Sequence, residues 1–262
     1  MRLPRPLYLL ALIGFALLLL PIVGLVSRVR WETLGDDLFS SESMTALGLS
    51  LGTAACATVV CVVVGLPMAL LIGRTGRRTA SVLRTLVLVP LVLPPMVGGL
   101  ALLSLLGRSG LIGRPIFEWS GYSLPYTTAA VVVAQSFVAL PFFVITLEGA
   151  LRTSGISHEQ IAATLGAGRW RVLSRVTLPL VMPGLVAGTV LSFARALGEF
   201  GATALFAGNA QGVTRTMPLA IYTAFNGVGV TQDSAVALSL LLLVSAAVVV
   251  CGLRSWREDA VR

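Results

Sequence analysis

Arg195 and Glu199 stand four residues apart in a run that is otherwise uncharged from Val176 to Gly208. A helix would put them on one face, where each lowers the cost of burying the other. An arginine at the centre of a membrane helix costs roughly 2.5–3.5 kcal/mol, so its presence there asks for a reason. Two chemistries supply one. Either the pair is a salt bridge that pins this helix to a neighbour or to a second copy of the chain, or Arg195 lines the route of an anion while Glu199 holds its orientation. A route along a dimer interface would satisfy both. Gly184, Gly188, Ser192 and Ala196 form a ridge of small residues on the same helix. The charges lie about 60° around from it at about 100° per residue, so they border a place where two helices can approach closely.

A second constellation is the polar segment 158–184, HEQIAATLGAGRWRVLSRVTLPLVMPG, set between long apolar stretches. His158 has no cysteine or histidine near it and reads as a surface residue. Ile161, Ala162 and Leu165 recur at i, i+1 and i+4, the apolar stripe of a short helix that begins near Ser157 with Glu159 in its first turn. Gly166 and Gly168 break that helix. Beyond them Trp170, Leu173 and Val176 recur every three residues, while Arg171 and Arg175 share another face. Two short helices joined by a glycine hinge are expected at an inner membrane surface, the tryptophan at headgroup depth and the arginines reaching out. Leu178, Pro179 and Pro183 then re-enter the membrane. A basic amphipathic loop without a partner would have the same composition, and it is the spacing that favours a docking surface.

What is missing narrows the chemistry. All 19 basic residues are arginine, so neither a phosphate-binding loop ending in Gly-Lys nor a Schiff-base lysine can exist in this chain. A single histidine rules out the His-Glu-x-x-His metal motif. Cys56, Cys61 and Cys251 fall inside apolar stretches without metal-ligand or disulfide spacing and read as packing residues. No catalytic residue and no metal ligand is assigned, and a membrane enzyme is hard to build from what remains.

These residues need elements to hold them, and composition says of what kind. The chain is 56% hydrophobic and 11% charged, with mean hydropathy +0.93, which places it in a bilayer. Charge-free apolar runs recur at 7–27, 44–73, 85–107, 119–147, 176–194 (continuing past Arg195 and Glu199 to 208) and 234–253. About 20 residues at roughly 1.5 Å each cross the hydrocarbon, so an all-α polytopic membrane protein with six transmembrane helices is expected. Pro90, Pro94 and Pro95 remove backbone donors from the third helix and kink it. They are gate or hinge candidates, although proline is commoner in membrane helices generally.

With the N-terminus inside, thirteen arginines face the cytoplasm: Arg2, Arg5, Arg74, Arg77, Arg78, Arg84, Arg152, Arg169, Arg171, Arg175, Arg254, Arg257 and Arg262. Five face out: Arg28, Arg30, Arg108, Arg114 and Arg215. That asymmetry predicts cytoplasmic termini, and the formal +8 and pI near 10.6 report topology rather than nucleic-acid binding. The run 7–27 follows Arg2 and Arg5 as a signal peptide would, but it exceeds the roughly 7–15 residues of a signal core, and it is read as helix one.

The spacing within the polar segment resembles the cytoplasmic signature of the permease subunits of binding-protein-dependent ATP-driven importers. Gln160-Ile161-Ala162 occupies a Glu-Ala-Ala-like triplet and Gly166 its seventh position, and nine residues later Val176-Thr177-Leu178-Pro179 matches aliphatic-x-Leu-Pro. The run from Phe193 to Asn209 and that from Thr216 to Tyr222 are similar to the permeases of molybdate and tungstate importers, as is LVPLVLPPMV at 88–97. Sulfate importer permeases share the Arg and Gly-Glu but carry Tyr-Gly-Ser where this chain has Phe200-Gly201-Ala202. The resemblance spans roughly 44–254.

The resemblance implies a type I importer permease fold with a coupling segment over 157–178 that inserts into a groove on an ATPase subunit. Glu159, Gln160, Ala162, Gly166, Arg169, Arg171, Leu178 and Pro179 would make that contact, with Gln160 in place of the usual Glu and Glu159 supplying a carboxylate one position earlier. It further implies translocation of molybdate or tungstate across the cytoplasmic membrane, Arg195, Glu199, Gly184 and Gly188 lining the path or a dimer contact, and no cofactor in this chain. ATP and Mg would sit on a pair of ATPase subunits. The other partners would be a second copy of the chain, an extracytoplasmic oxyanion-binding protein and membrane lipid. Residues 1–43 would form the first helix and outer loop, 44–254 the core and 255–262 a cytoplasmic tail. Sulfate transport by the same machine is the nearest rival. A gradient-driven secondary transporter is a rival of another class, for which an inverted repeat would be expected and none is visible in the hydropathy.

Overall fold

The computed structural model describes residues 4–227 and 232–259, and all their side chains except those of Arg5, Gln232 and 250–259. Expectations for Arg2 and Arg262, and for the side chains of Arg5, Cys251, Arg254 and Arg257, lie outside the described residues, as does the end of the 255–262 tail.

The described chain is helical throughout, without strands. In order come α1 (Arg5–Ser27), α2 (Leu34–Leu38), α3 (Ser41–Arg74), α4 (Arg77–Val92), α5 (Pro95–Leu106), α6 (Gly113–Ser120) and α7 (Thr128–Ser154). There follow α8 (Ser157–Thr164), α9 (Arg169–Val172), a π turn (Leu173–Thr177), α10 (Leu178–Leu197), α11 (Gly201–Phe206), α12 (Met217–Phe225) and α13 (Gln232–Asp259). Four helical stretches are long and apolar enough to cross a membrane unbroken: α1, α3, α7 and the continuous helix Arg169–Leu197. The bent pair α4–α5 makes a fifth, and α13, apolar over Asp233–Val249, occupies the place of the sixth expected span.

α7 is the centre of the bundle, touching α3, α4, α5, α10 and α11. It starts cleanly because the Thr127 hydroxyl accepts the Ala130 N–H, and it stops at Gly155, whose φ of +66° favours glycine. Without a hydrophobic drive between helices in lipid, association rests on close backbone approach, and this chain supplies it with small residues. Ala54, Ala57 and Cys61 of α3, Ala139, Phe143 and Leu147 of α7, and Val181 and Ala196 of α10 form the core. A Cβ on Gly184 would fall 2.2 Å from Ala150 Cβ, and one on Gly188 3.3 Å from Phe143. By contrast α1 buries none of its apolar window in the chain.

The third apolar run departs from the expected single helix. It breaks between Val92 and Pro95, where α4 and α5 meet at 107°. The reason is local: Pro94 and Pro95 have no N–H to give Pro90 and Leu91, the last helical bond is Leu93 N–H to Val89 O, and Leu93 before a proline turns extended at ψ 134°. The fifth run also breaks, at Gly198–Phe200, so that α11 leaves the axis of α10 and packs on α5. Gly99 and Gly201 make that packing close: a Cβ on Gly99 would lie 2.8 Å from Ala202 O, and one on Gly201 3.0 Å from Pro95 Cβ.

The ends of the bundle segregate. Arg30–Asp233, Glu42–Gln211 and Asp37–Ser234 contacts tie the first turns of α3 and α13 to α2 and the loops at one end, while Arg74–Glu159 and Arg84–Glu148 join the other, where the polar segment lies.

Candidate functional site

The polar segment folds as one helix and a hinge. Glu159 sits in the first turn of α8, and the hinge 165–168 turns on Gly166, whose φ of +82° an L side chain adopts at a cost of roughly 1–2 kcal/mol. The second expected helix is not separate. α9 runs through the π turn straight into α10: Pro179 has no N–H to give the preceding turn of this continuous helix, and the wider turn Leu173–Thr177 directly before it is where the helix accommodates the loss.

The stripe Ile161 and Leu165 points away from the bundle, Leu165 being 83% and Trp170 82% exposed. Gln160, Gly166, Arg169, Arg171 and Pro179 are exposed around it, with Ala162 and Leu178 half-buried. The result is an exposed apolar strip rimmed by arginines, with no other element of the described chain over it. Glu159 is placed differently from the expectation. Its Oε1 accepts from Thr177 Oγ1 at 2.7 Å and from Arg74 Nη2 at 2.9 Å, so the carboxylate faces back into the bundle and ties α8 to α3 and α10. Glu159 thereby holds α8 in place and adds no charge to its exposed face.

Arg195 and Glu199 pair as expected, with Arg195 Nη2 2.6 Å from Glu199 Oε2. That oxygen has charge contact but no aligned hydrogen bond. Oε1 accepts the Ala202 N–H at 2.8 Å, so Glu199 also caps α11 at the break. Glu199 is 1% exposed, whereas Arg195 is 25% exposed and reaches a cavity of about 160 Å³. Pro90, Leu93 and Pro95 at the α4–α5 break, with Phe137 and Phe142 of α7, line the rest of it. Arg195 thus borders a space beside the bent span. Gly184 and Gly188 are neither in that space nor on an outer face. Both pack against α7 of the same chain, because the missing Cβ is what lets α10 and α7 touch.

Sequence reasoning missed four buried polar residues. Gln135 is wholly buried in α7 with neither amide atom bonded, and Thr203 Oγ1 of α11 is likewise unpaired. Gln135 is the lone amide in the run 119–147, a signal that was available. Glu148, buried and bonded to Arg84 at 2.7 Å, lies just past the end of that run. Ser50 falls in the letters Gly48-Leu-Ser-Leu-Gly52, a nucleophile-elbow pattern. It sits mid-helix in α3 with its oxygen accepting the Met217 N–H at 2.6 Å, which is no elbow.

Residues 62–256 match the family described as the inner membrane component of binding-protein-dependent transport systems. The chain belongs to that family. It is 55% identical to the molybdenum transport system permease protein ModB of Mycobacterium bovis, over 95% of this chain and 93% of that one. To the protein of the same name in Escherichia coli K12 it is 40% identical, over 71% of this chain and 81% of that one. A chain of a bacterial alginate ABC transporter, crystallised with a periplasmic protein carrying an alginate pentasaccharide, superposes with TM-score 0.74 at 18% identity, covering 94% of this chain and 91% of that one. That likeness shows the fold, an ABC-importer permease bundle.

Proposed function

We propose that this chain is the membrane-spanning permease subunit of an ATP-driven importer that carries molybdate, or the similar tungstate, into the cytoplasm. The observation that carries the reading is 55% identity across 95% of the chain to a molybdenum transport permease. Two copies form the pathway, and α13 completes six crossings in each. Both termini lie inside, in keeping with thirteen arginines on the side of the polar segment against five opposite. A separate pair of ATPase subunits, holding ATP and Mg, grips the segment 157–178. Ile161, Leu165 and Trp170 fill its groove, Gln160, Arg169 and Arg171 rim the contact, and Glu159 braces the segment from behind. An extracytoplasmic binding protein delivers the oxyanion at the opposite end. Arg195 offers a guanidinium to the passing anion, with Pro94 and Pro95 as the bend that lets the span move.

The docking part of the proposal is tested by purifying the tagged full chain from its own cells. An ATPase subunit should come down with it and be lost from Leu165→Asp. If wild type and variant bring down the same amount of ATPase, α8 is not the contact.

A further inference from the structure

A cavity of about 520 Å³ opens between α3, α4 and α7 at the polar-segment end of the bundle, lined by Thr75, Arg77, Ser81, Arg84, Glu148 and Arg152. Three guanidinium groups against one carboxylate leave it a formal +2. Glu148 is buried and engages Arg84 at 2.7 Å and Arg152 at 3.8 Å, so it fixes two of the arginines without neutralising the three. α4 begins at Arg77 with no side-chain cap, which aims the positive end of a helix of 16 residues at the same place.

Directly below lies a second cavity of about 360 Å³ on the same three helices, lined by Met68, Leu71, Leu83, Leu86, Val87, Pro90, Phe137, Leu140 and Pro141 without one charged residue. Ile72 lines both cavities, and Leu83 of the lower one is the neighbour of Arg84 in the upper. From Leu83 to Pro90 the apolar groove follows α4 for about 10 Å.

We infer that this composite cleft holds an anionic phospholipid of the surrounding bilayer, its phosphate among Arg77, Arg84 and Arg152 and an acyl chain along the groove. Charge complementarity selects the headgroup, since surplus arginines at the membrane boundary need an anion. The apolar groove selects a lipid over a free oxyanion, because a free anion has no use for it. Arg195 does not line the charged cavity; it lines a third cavity, which meets the far end of the apolar groove at Pro90 and Phe137.

The test is native mass spectrometry of the full chain in detergent, titrated with phosphatidylglycerol and with phosphatidylcholine of the same chain length. Wild type should retain phosphatidylglycerol with a preference on the order of thirtyfold, the size expected of a net surplus of two arginines near an anionic headgroup. The double variant Arg77→Gln, Arg152→Gln, which spares the Arg84–Glu148 pair, should bring the two lipids near parity. Leu86→Trp should lower retention of both. Equal retention of the two lipids by wild type would overturn the inference. So would displacement of phosphatidylglycerol by inorganic phosphate, which would make the cleft a free-anion site. These two measurements need only wild-type protein and decide the matter even if the double variant does not fold.

Discussion

The Thr177 hydroxyl donates to the Glu159 carboxylate at 2.7 Å across 18 residues of chain, joining the first turn of α8 to the turn that opens α10. Arg74 of α3 meets the same oxygen at 2.9 Å. One carboxylate thus ties three elements together, on the side of α8 opposite the exposed Ile161–Leu165 stripe.

Removing that carboxylate should loosen the linkage. Glu159→Ala leaves Thr177, which is 1% exposed, only its long 3.4 Å bond to Val172 O, and should destabilise the chain by about 1 kcal/mol. Glu159→Gln keeps an acceptor oxygen and should cost less, since its ion pair is with an arginine that is itself half in solvent. Thermal unfolding in detergent checks both, and equal midpoints for the two variants would show that the hydrogen bond is idle.

Gly166 turns the hinge at φ +82° with open space around it. Gly166→Val should therefore strain the backbone by roughly 1–2 kcal/mol without a clash. The variant should reach the membrane at normal levels but lose most ATP-coupled uptake, because α8 no longer meets its partner at the same angle. Undiminished oxyanion accumulation would count against the hinge.

For the ion pair the burial is unequal, and so are the expected effects. Arg195→Ala strands a carboxylate that is 1% exposed and should cost about 3–5 kcal/mol. Arg195→Ala combined with Glu199→Gln removes both charges, keeps an acceptor for the Ala202 N–H, and should recover most of that stability. If Arg195 meets the anion, the double variant assembles yet transports poorly. Recovery of stability and uptake together would leave the pair a purely structural one.

Gly184→Leu should prevent assembly, since its side chain would enter Ala150 where a bare Cβ already falls 2.2 Å away. Size-exclusion chromatography of the purified chain would report it as loss of the monodisperse peak.

The crossing helices and the polar segment were legible in the sequence because both are written locally. Hydropathy marks the spans, and the glycine pair at 166 and 168 with Leu178-Pro179 marks the hinge and the start of α10. What was not legible depends on neighbours. The prolines of Leu88–Val97 account for the break itself, but not for where α5 goes after it: α5 packs on α11, a fit that only Gly99 against Ala202 shows. Gly184 and Gly188 announced a close helix contact without saying with which helix, and α7 of the same chain answers it. Glu159 read as an outward carboxylate because Arg74 and Thr177, which claim it, are distant in the chain.

The central claim is ATP-driven oxyanion import, and reconstitution tests it most directly. Proteoliposomes would carry this permease with its ATPase partner and binding protein, and labelled molybdate accumulation would be followed against competing tungstate and sulfate. Uptake should require ATP and the ATPase subunit, be competed by tungstate, and resist sulfate. Molybdate accumulation without the ATPase, driven by an ion gradient alone, would contradict it.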